Sequence, residues 1–435
     1  MKESIAKLIA AALDAVNPAT AIHSHVRRDG DKLNILDRVY DLVDRSTQQR
    51  TEIYCLALGK AAVPMAQAIA EILGSDISQG LVVTKYDHIG AATFPAGWEV
   101  IEAGHPTPDE RSLDAGDRVW NFLGNCTDRT LIIACISGGA SALVVAPRTW
   151  SSIQQILLAP PEFDTIPSPQ SLINSALNNQ AIDISTVDLD LVIPLTTMQA
   201  INTELLGSGL NIEQINAVRA KLDRLKGGGL VNRALPGQTI GLILSDVIGD
   251  SIESIASGLT HHPNAANTIV ASNSQACKAV AETARKLGYH PTIVTTEWDG
   301  DAQARGQEIA REIVTRAPNT VLIYGGETTV VLPQNVRGKG GRNQELALAA
   351  AIELGELATP AWVITLATDG TDGPTDAAGA TVNEQTIVRA LALGLDARSA
   401  LDRHDSYPFF DRLGDLCKIG ATGTNVADIT IAIRP

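Results

Sequence analysis

A chain of 435 residues exceeds one ordinary domain of about 100–200 residues and predicts two or three lobes with a sizeable core. Its composition, 45% hydrophobic and 19% charged with 4% aromatic, is globular and excludes a disordered tail, a collagen and a disulfide scaffold. With 34 Lys and Arg against 49 Asp and Glu the net charge is −15, which argues against a nucleic-acid or anionic-membrane binder because both need a basic face.

The N-terminal MKESIAKLIAAALDAVNP is amphipathic, and its charges interrupt any apolar core, so it predicts a helix rather than a signal peptide. Short Val/Ile/Leu-rich runs then alternate with helical patterns, which predicts a parallel α/β sheet buried on both faces. Strands are expected at 53–58, 81–84, 131–136, 240–244, 268–271, 292–295, 320–324, 361–367 and 427–433, with helices at 61–73, 275–287 and 343–357 between them. The uncharged stretch 130–147 contains Ser137, Gly138, Gly139 and Ser141 and ends in Pro147, so it predicts a buried strand and tight loop, not a membrane span. From Thr149 to Val218 there is no Lys or Arg, while Glu162, Asp164, Asp183, Asp188, Asp190, Glu204 and Glu213 are acidic; a solvated insertion over about 149–200 is expected, with a lid as the functional alternative. After about residue 320, YGGETTVVLP suggests a strand reversing into a second strand and hence a mixed sheet. Five cysteines, an odd count with no CxxC spacing and several in apolar runs, suit a reduced cytoplasm.

Polar and glycine clusters follow the expected strands, where ligands gather in open α/β sheets. Gly59 and Lys60 follow 53–58 and open a helix, where a cation opposes the helix dipole unless an anion is bound. Ser137–Ser141, SGGAS, lets backbone N–H groups converge on an anion, or forms a simple tight turn. Asp246 and Asp250 in LSDVIGD are placed to orient magnesium or to cap a helix. Glu327 and the group Arg337, Lys339, Arg342, Asn343 and Glu345 pack charges beside glycines at a helix start, which suits a polyphosphate or carboxylate. Asp369, Asp372 and Asp376 follow 361–367 without EF-hand spacing and suit one or two magnesium contacts. Gly423, Thr424 and Asn425 offer a further nest. His105 in AGHPTPD and the pair His261–His262 are the suggestive histidines, and a lone histidine more often fixes a loop than catalyses. No G-x-G-x-x-G follows a strand, and no P-loop, HExxH, G-x-S-x-G or zinc spacing occurs.

In order along 53–428, the strings ALGKAA, GHPTPD, ISGGASAL, NAVRAKLDRLKGG, LSDVIGD, IASG, YGGETTV, GGRNQELAL, TDGTDGPTDAAGA, DSYPFF and TGTNVAD resemble the class II glycerate kinases, whose C-terminal part is called the MOFRL domain. Leu259 stands where that family usually has proline, and VRAKLD replaces its usual VRKHLS. The resemblance implies two α/β domains: a Rossmann-like three-layer domain over 1–290 with a largely parallel sheet, and a smaller mixed-sheet domain over 291–435, with the active site in the cleft. It implies phosphorylation of D-glycerate to 2-phosphoglycerate with ATP and magnesium, without nucleic-acid or membrane partners; a homodimer is compatible. Lys60 and Arg342 then act in catalysis, and Asp369 joins them as base or, with Asp246, as magnesium ligand. Ser137, Gly138, Gly139, Ser141, Arg219, Glu327, Asn343, Thr424 and Asn425 fall to substrate and phosphate binding. The rival readings are a nicotinamide-dependent hydroxypyruvate reductase, against which the missing dinucleotide fingerprint counts, and a non-catalytic binder of phosphorylated metabolites.

Overall fold

The computed structural model describes residues 1–43, 49–160, 167–333 and 338–435. The chain forms two compact units, one of Ile22–Leu244 with Asp250–Val270 and the other of Met1–Ala21, Ser245–Gly249 and Ala271–Pro435. The boundary therefore differs from the expected 290/291. Helix Asn273–Lys286 turns Ala276, Cys277, Val280 and Ala284 inward against the first strands of the C-terminal unit, and the N-terminal helix Lys2–Ala15 packs on it. A reading in chain order cannot see that the two ends of the sequence share one core.

The first unit carries a six-stranded sheet of β1 (Glu52–Leu58), β2 (Ile77–Lys85), β3 (Glu99–Ala103), β4 (Thr130–Ile136), β5 (Gln238–Leu244) and β6 (Ala265–Ala271). Their spatial order is β3-β2-β1-β4-β5-β6, and the registers from β3 to β5 are parallel. This doubly wound order reverses between β1 and β4, so their carboxyl ends flank a crevice. Both strands are buried almost throughout, which explains their uninterrupted apolar sequences. A small antiparallel sheet of Val26–Asp29, Lys32–Ile35 and Arg38–Asp41 precedes them.

The acidic segment is not a solvated insertion. Helices Trp150–Leu158, Pro169–Asn179, Leu195–Gly207 and Ile212–Leu222 enclose an apolar core that includes Ile153, Ile173, Ile201, Leu205 and Val218. Asp183, Asp188, Asp190 and Glu213 are exposed, so acid and apolar residues divide between faces of one helical cluster. Glu162 and Asp164 lie outside the described residues.

The second unit carries β7 (His290–Trp298), β8 (Thr320–Gly326), β9 (Trp362–Ala367), β10 (Gly379–Asn383), β11 (Leu416–Cys417) and β12 (Asp428–Arg434) in the order β7-β8-β12-β9-β10-β11. β7 and β8 are parallel, while β12 runs antiparallel between β8 and β9. The sheet is mixed as expected, but for another reason. β8 stops at Gly326 and residues 327–333 form no strand; the C-terminal strand supplies the reversal instead. The α/β fold with one parallel and one mixed sheet is thus the expected one. No single helix among the described residues is long and apolar enough to cross a membrane.

Candidate active site

In the first unit, the turns after β1 and β4 are stapled together. Ser137 N–H donates to Leu58 O at 2.9 Å, Lys60 N–H to Gly138 O at 2.9 Å, and Ala61 N–H to Ser137 Oγ at 3.0 Å. Gly59 has φ +122°, and a Cβ there would lie 2.3 Å from Ser137 Oγ and 2.4 Å from its carbonyl oxygen, so only glycine fits. Ser137 therefore spends its hydroxyl on the staple. The backbone N–H groups of Gly138 and Gly139 find no acceptor among the described residues and are the donors this turn presents.

Half-buried Lys60 runs across Gly139: a Cβ on Gly139 would meet Lys60 Cγ at 3.2 Å and His105 Cδ2 at 3.0 Å. Among the described residues Lys60 has no carboxylate partner. His88 Nδ1 lies 3.3 Å from Lys60 O. Burial, then the Lys60 and Lys85 charges, push His105 down to about 4, so a neutral imidazole stands beside the lysine at pH 7. Ser141 Oγ bonds Ser257 Oγ at 2.8 Å, and Ser257 Oγ donates to Asn216 Oδ1 at 3.0 Å. Arg219 Nη1 donates to that same Oδ1 at 3.3 Å and Nε to Asn202 Oδ1 at 2.9 Å.

The second unit gathers Arg342, Glu327, Asn343, Asp372 and Asp428. Arg342 opens helix Arg342–Leu357 and grips Asp428 with two parallel bonds, Nε to Oδ2 at 2.5 Å and Nη2 to Oδ1 at 3.0 Å, while Nη1 meets Glu327 Oε1 at 2.5 Å. Burial opposes the guanidinium's charge, but the hydrogen bond and charge of Asp428, followed by Glu327, outweigh it and raise its pKa. Burial pushes Asp428 up to about 6 against the pull of Arg342. Asp372 is also pushed up by burial to about 6; it accepts from the N–H groups of Asn343 at 3.1 Å and Gln344 at 2.8 Å and so caps the helix. Asn343 is buried and serves these carboxylates rather than an open surface.

Asp369 follows β9 half-buried, with Oδ1 accepting from Thr371 N–H at 2.9 Å and its hydroxyl at 3.2 Å. Asp246 follows β5, also half-buried. No group of three or more His, Cys, Asp or Glu among the described residues is assembled to hold a metal. Thr424 differs from the expected phosphate contact: it is buried and its hydroxyl donates to Val16 O at 2.7 Å, pinning the N-terminal segment. Asn425 Oδ1 accepts from Ala427 N–H at 3.2 Å and closes its own loop. Arg337 lies outside the described residues. Sequence reasoning assigned no role to Asp428, Asn202, Asn216 or Ser257, and read His105 as a loop residue. Asp428 ends the string TGTNVAD at the first residue of β12, a strand-end position that could have drawn notice.

The family described as MOFRL matches residues 320–428, and the one described as Domain of unknown function (DUF4147) matches residues 4–159 and 189–287. A glycerate 2-kinase of Pyrococcus horikoshii is 33% identical, with 98% of this chain and 96% of the relative covered. A relative in Agrobacterium vitis with a provisional hydroxypyruvate reductase name is 32% identical over 86% of this chain and 97% of its own length. Among solved structures, a glycerate kinase from Thermotoga maritima superposes with a TM-score of 0.77 at 29% identity, covering 100% of this chain and 99% of that one. The chain belongs to the class II glycerate kinase family, with a MOFRL domain as its C-terminal part.

Proposed function

We propose that this protein is a glycerate 2-kinase that transfers the γ-phosphoryl group of ATP to the C2 hydroxyl of D-glycerate. The observation that carries the reading is Lys60, a cation without a carboxylate partner among the described residues. It is held beside the N–H groups of Gly138 and Gly139, which find no acceptor among the described residues, at the switch point of a doubly wound sheet. Such a turn suits phosphate oxygens, because it supplies positive charge and oriented donors without reorganisation.

Phosphoryl transfer asks for positioning and charge neutralisation more than for covalent chemistry. The hydroxyl oxygen of glycerate attacks the γ-phosphorus, the bond to the bridging β-oxygen breaks, ADP leaves, and the hydroxyl proton passes to a base. Lys60 and the glycine N–H groups offset charge on the transferred group. Arg342 has two N–H groups outside its bonds to Asp428 and Glu327 and offers them to phosphate, with Asp428 fixing the plane of its guanidinium. Asp369 has one carboxylate oxygen outside its loop bonds, and Asp246 shares its half-buried setting. These two serve the acceptor proton and the metal. Asp246 and Asp369 would hold magnesium, whose preference for one or two protein carboxylates they can meet, and the ion would supply charge neutralisation for the nucleotide phosphates.

Phosphorus NMR of the full chain with ATP, magnesium and D-glycerate is expected to show ADP and 2-phosphoglycerate. A product that is only 3-phosphoglycerate overturns the regiochemistry, and absence of ADP formation overturns the kinase. The Agrobacterium relative's name motivates one rival, a hydroxypyruvate reductase. The turn after β1 reads Gly59-Lys60-Ala61-Ala62, not the glycine fingerprint of a dinucleotide site. Oxidation of NADH on adding hydroxypyruvate would favour that rival.

A further inference from the structure

Within the first unit a cavity of about 220 Å³ opens beside the turn that carries Gly139 and Ser141. None of the described residues lining it is Asp or Glu, in a chain whose acidic residues outnumber its basic ones 49 to 34. Helix Leu195–Gly207 builds one wall with Met198, Leu205 and Leu206. That helix belongs to the stretch 149–218, which has no Lys or Arg; the next residue, Arg219, faces the cavity.

Among the described residues three basic side chains line the space, and each meets its charge differently. Lys226 is buried with its ammonium 2.8 Å from Asp223. His105 is neutral at pH 7, for the reasons given above. Arg219 has only amide partners among the described residues: Asn202 Oδ1 accepts from Nε and Nη2, and Asn216 Oδ1 accepts from Nη1. Burial lowers the pKa of this guanidinium, and no carboxylate among the described residues offsets that effect. Holding an unneutralised cation partly out of water has a cost that a bound anion would offset.

The arrangement orients the guanidinium without neutralising it. Asn216 accepts from Ser257, which bonds Ser141 on the cavity wall, and Asn216 Nδ2 donates to Ser254 O at 3.4 Å. Three of the five N–H groups of Arg219 are engaged in this network, which leaves two for an outside acceptor. A carboxylate matches that planar fork better than a single point acceptor does. The volume lies below the ~300–1,000 Å³ usual for drug-sized ligands, so it suits a three- or four-carbon acid and not a whole nucleotide.

We propose that this cavity binds the carboxylate of a small 2-hydroxy acid through Arg219. The identity of that acid as the phosphoryl acceptor rests on the glycerate kinase reading; the anion site itself does not. Arg219 is then the residue that separates hydroxy acids from uncharged polyols.

The test is calorimetric titration of the full chain with D-glycerate, and with glycerol as the uncharged control. Both are run with and without magnesium and a non-hydrolysable ATP analogue. Wild type is expected to bind D-glycerate and to ignore glycerol at equal concentration. Arg219→Gln should weaken D-glycerate binding at least tenfold, since a charge-assisted pair is lost, while the KM for ATP stays within about twofold. Arg219→Lys should retain part of the affinity. Met198→Trp fills the cavity and leaves the guanidinium in place; it should abolish binding, and it decides the matter alone if Arg219→Gln fails to fold by circular dichroism. Wild-type affinity in either folded variant, or no binding of D-glycerate by wild type, overturns the site. Arg219-dependent binding without any ADP formation would sink the kinase reading and keep the site. Normal turnover with an unchanged glycerate KM in Arg219→Gln would do the reverse.

Discussion

Replacing Arg342 by glutamine separates its structural work from its chemical work. The guanidinium holds buried Asp428 by two bonds and half-exposed Glu327 by one. Asp428 stands at about 6 instead of 3.8 even with Arg342 beside it, and at ~1.36 kcal/mol per pKa unit its ionisation at neutral pH already costs about 3 kcal/mol. Removing one partner of a buried pair costs ~3–5 kcal/mol, because the remaining charge is left uncompensated. That loss has a ceiling in Arg342→Gln, since Asp428 can take up a proton. The sign follows from linkage: with its folded pKa raised further above 3.8, Asp428 binds more protons in the folded state than in the unfolded one, so acidification stabilises the fold. The variant's deficit in thermal midpoint should therefore be largest near pH 7.5 and shrink toward pH 5.5. Adding Asp428→Asn should restore most of the midpoint at pH 7.5 without restoring turnover. A deficit that is flat with pH, or a double variant no more stable than the single one, would refute the assignment of the loss to an orphaned Asp428. The conservative Arg342→Lys keeps a charge but loses the two-bond grip, so kcat/KM should fall roughly tenfold to a hundredfold.

Lys60→Met should leave the far-ultraviolet spectrum and melting midpoint near wild type while removing most of kcat; a near-normal kcat with unchanged KM would return Lys60 to the surface. Asp369→Asn should depress kcat at saturating substrates, and a magnesium titration of it beside Asp246→Asn apportions the roles, because partial recovery at high metal marks the ligand and none marks the base. If Asp369→Asn is normal and Asp246→Asn is dead, the acidic centre belongs to the loop after β5. His105 is depressed from 6.5 to about 4, so the unfolded state binds its proton first and stability falls as pH drops through that window; His105→Gln should flatten this acid limb of the pH–midpoint curve, and an unchanged limb contradicts it.

Long apolar strands were legible because burial on both faces leaves little choice of residue. β1, β4, β5, β8, β9 and β12 all fall within a few residues of their predicted spans. β3 escaped notice because EVIEA is an edge strand whose charged residues interrupt the apolar run, and the sheet at Val26–Asp41 because its residues are mostly exposed and charged. The acidic segment misled for a related reason. Its missing cations and exposed aspartates suggested a solvated excursion, while Ile153, Ile173, Ile201 and Leu205 were quietly spaced to build a core. The Lys60 turn was readable because its parts lie at strand ends within the string itself. The environment of Arg342 was not, because Asp428 lies 86 residues further on and only the antiparallel insertion of β12 brings it in.

That contrast bears on how an acidic protein handles anionic substrates. A cation is useful to a phosphate or carboxylate only to the extent that protein carboxylates have not already claimed it. Arg342 is largely claimed, by Asp428 and Glu327, so its contribution is a fixed plane and two spare donors more than free charge. Lys60 and Arg219 have no carboxylate partner among the described residues: Lys60 lies across Gly139, and the neutral amide oxygens of Asn202 and Asn216 set the direction of Arg219. The net charge of −15 thus describes the chain as a whole and not these sites. Among its described residues, the first unit keeps acids out of the cavity lining and out of contact with Lys60. Local exclusion of carboxylates, more than accumulation of lysine and arginine, is what makes such sites attractive to anions.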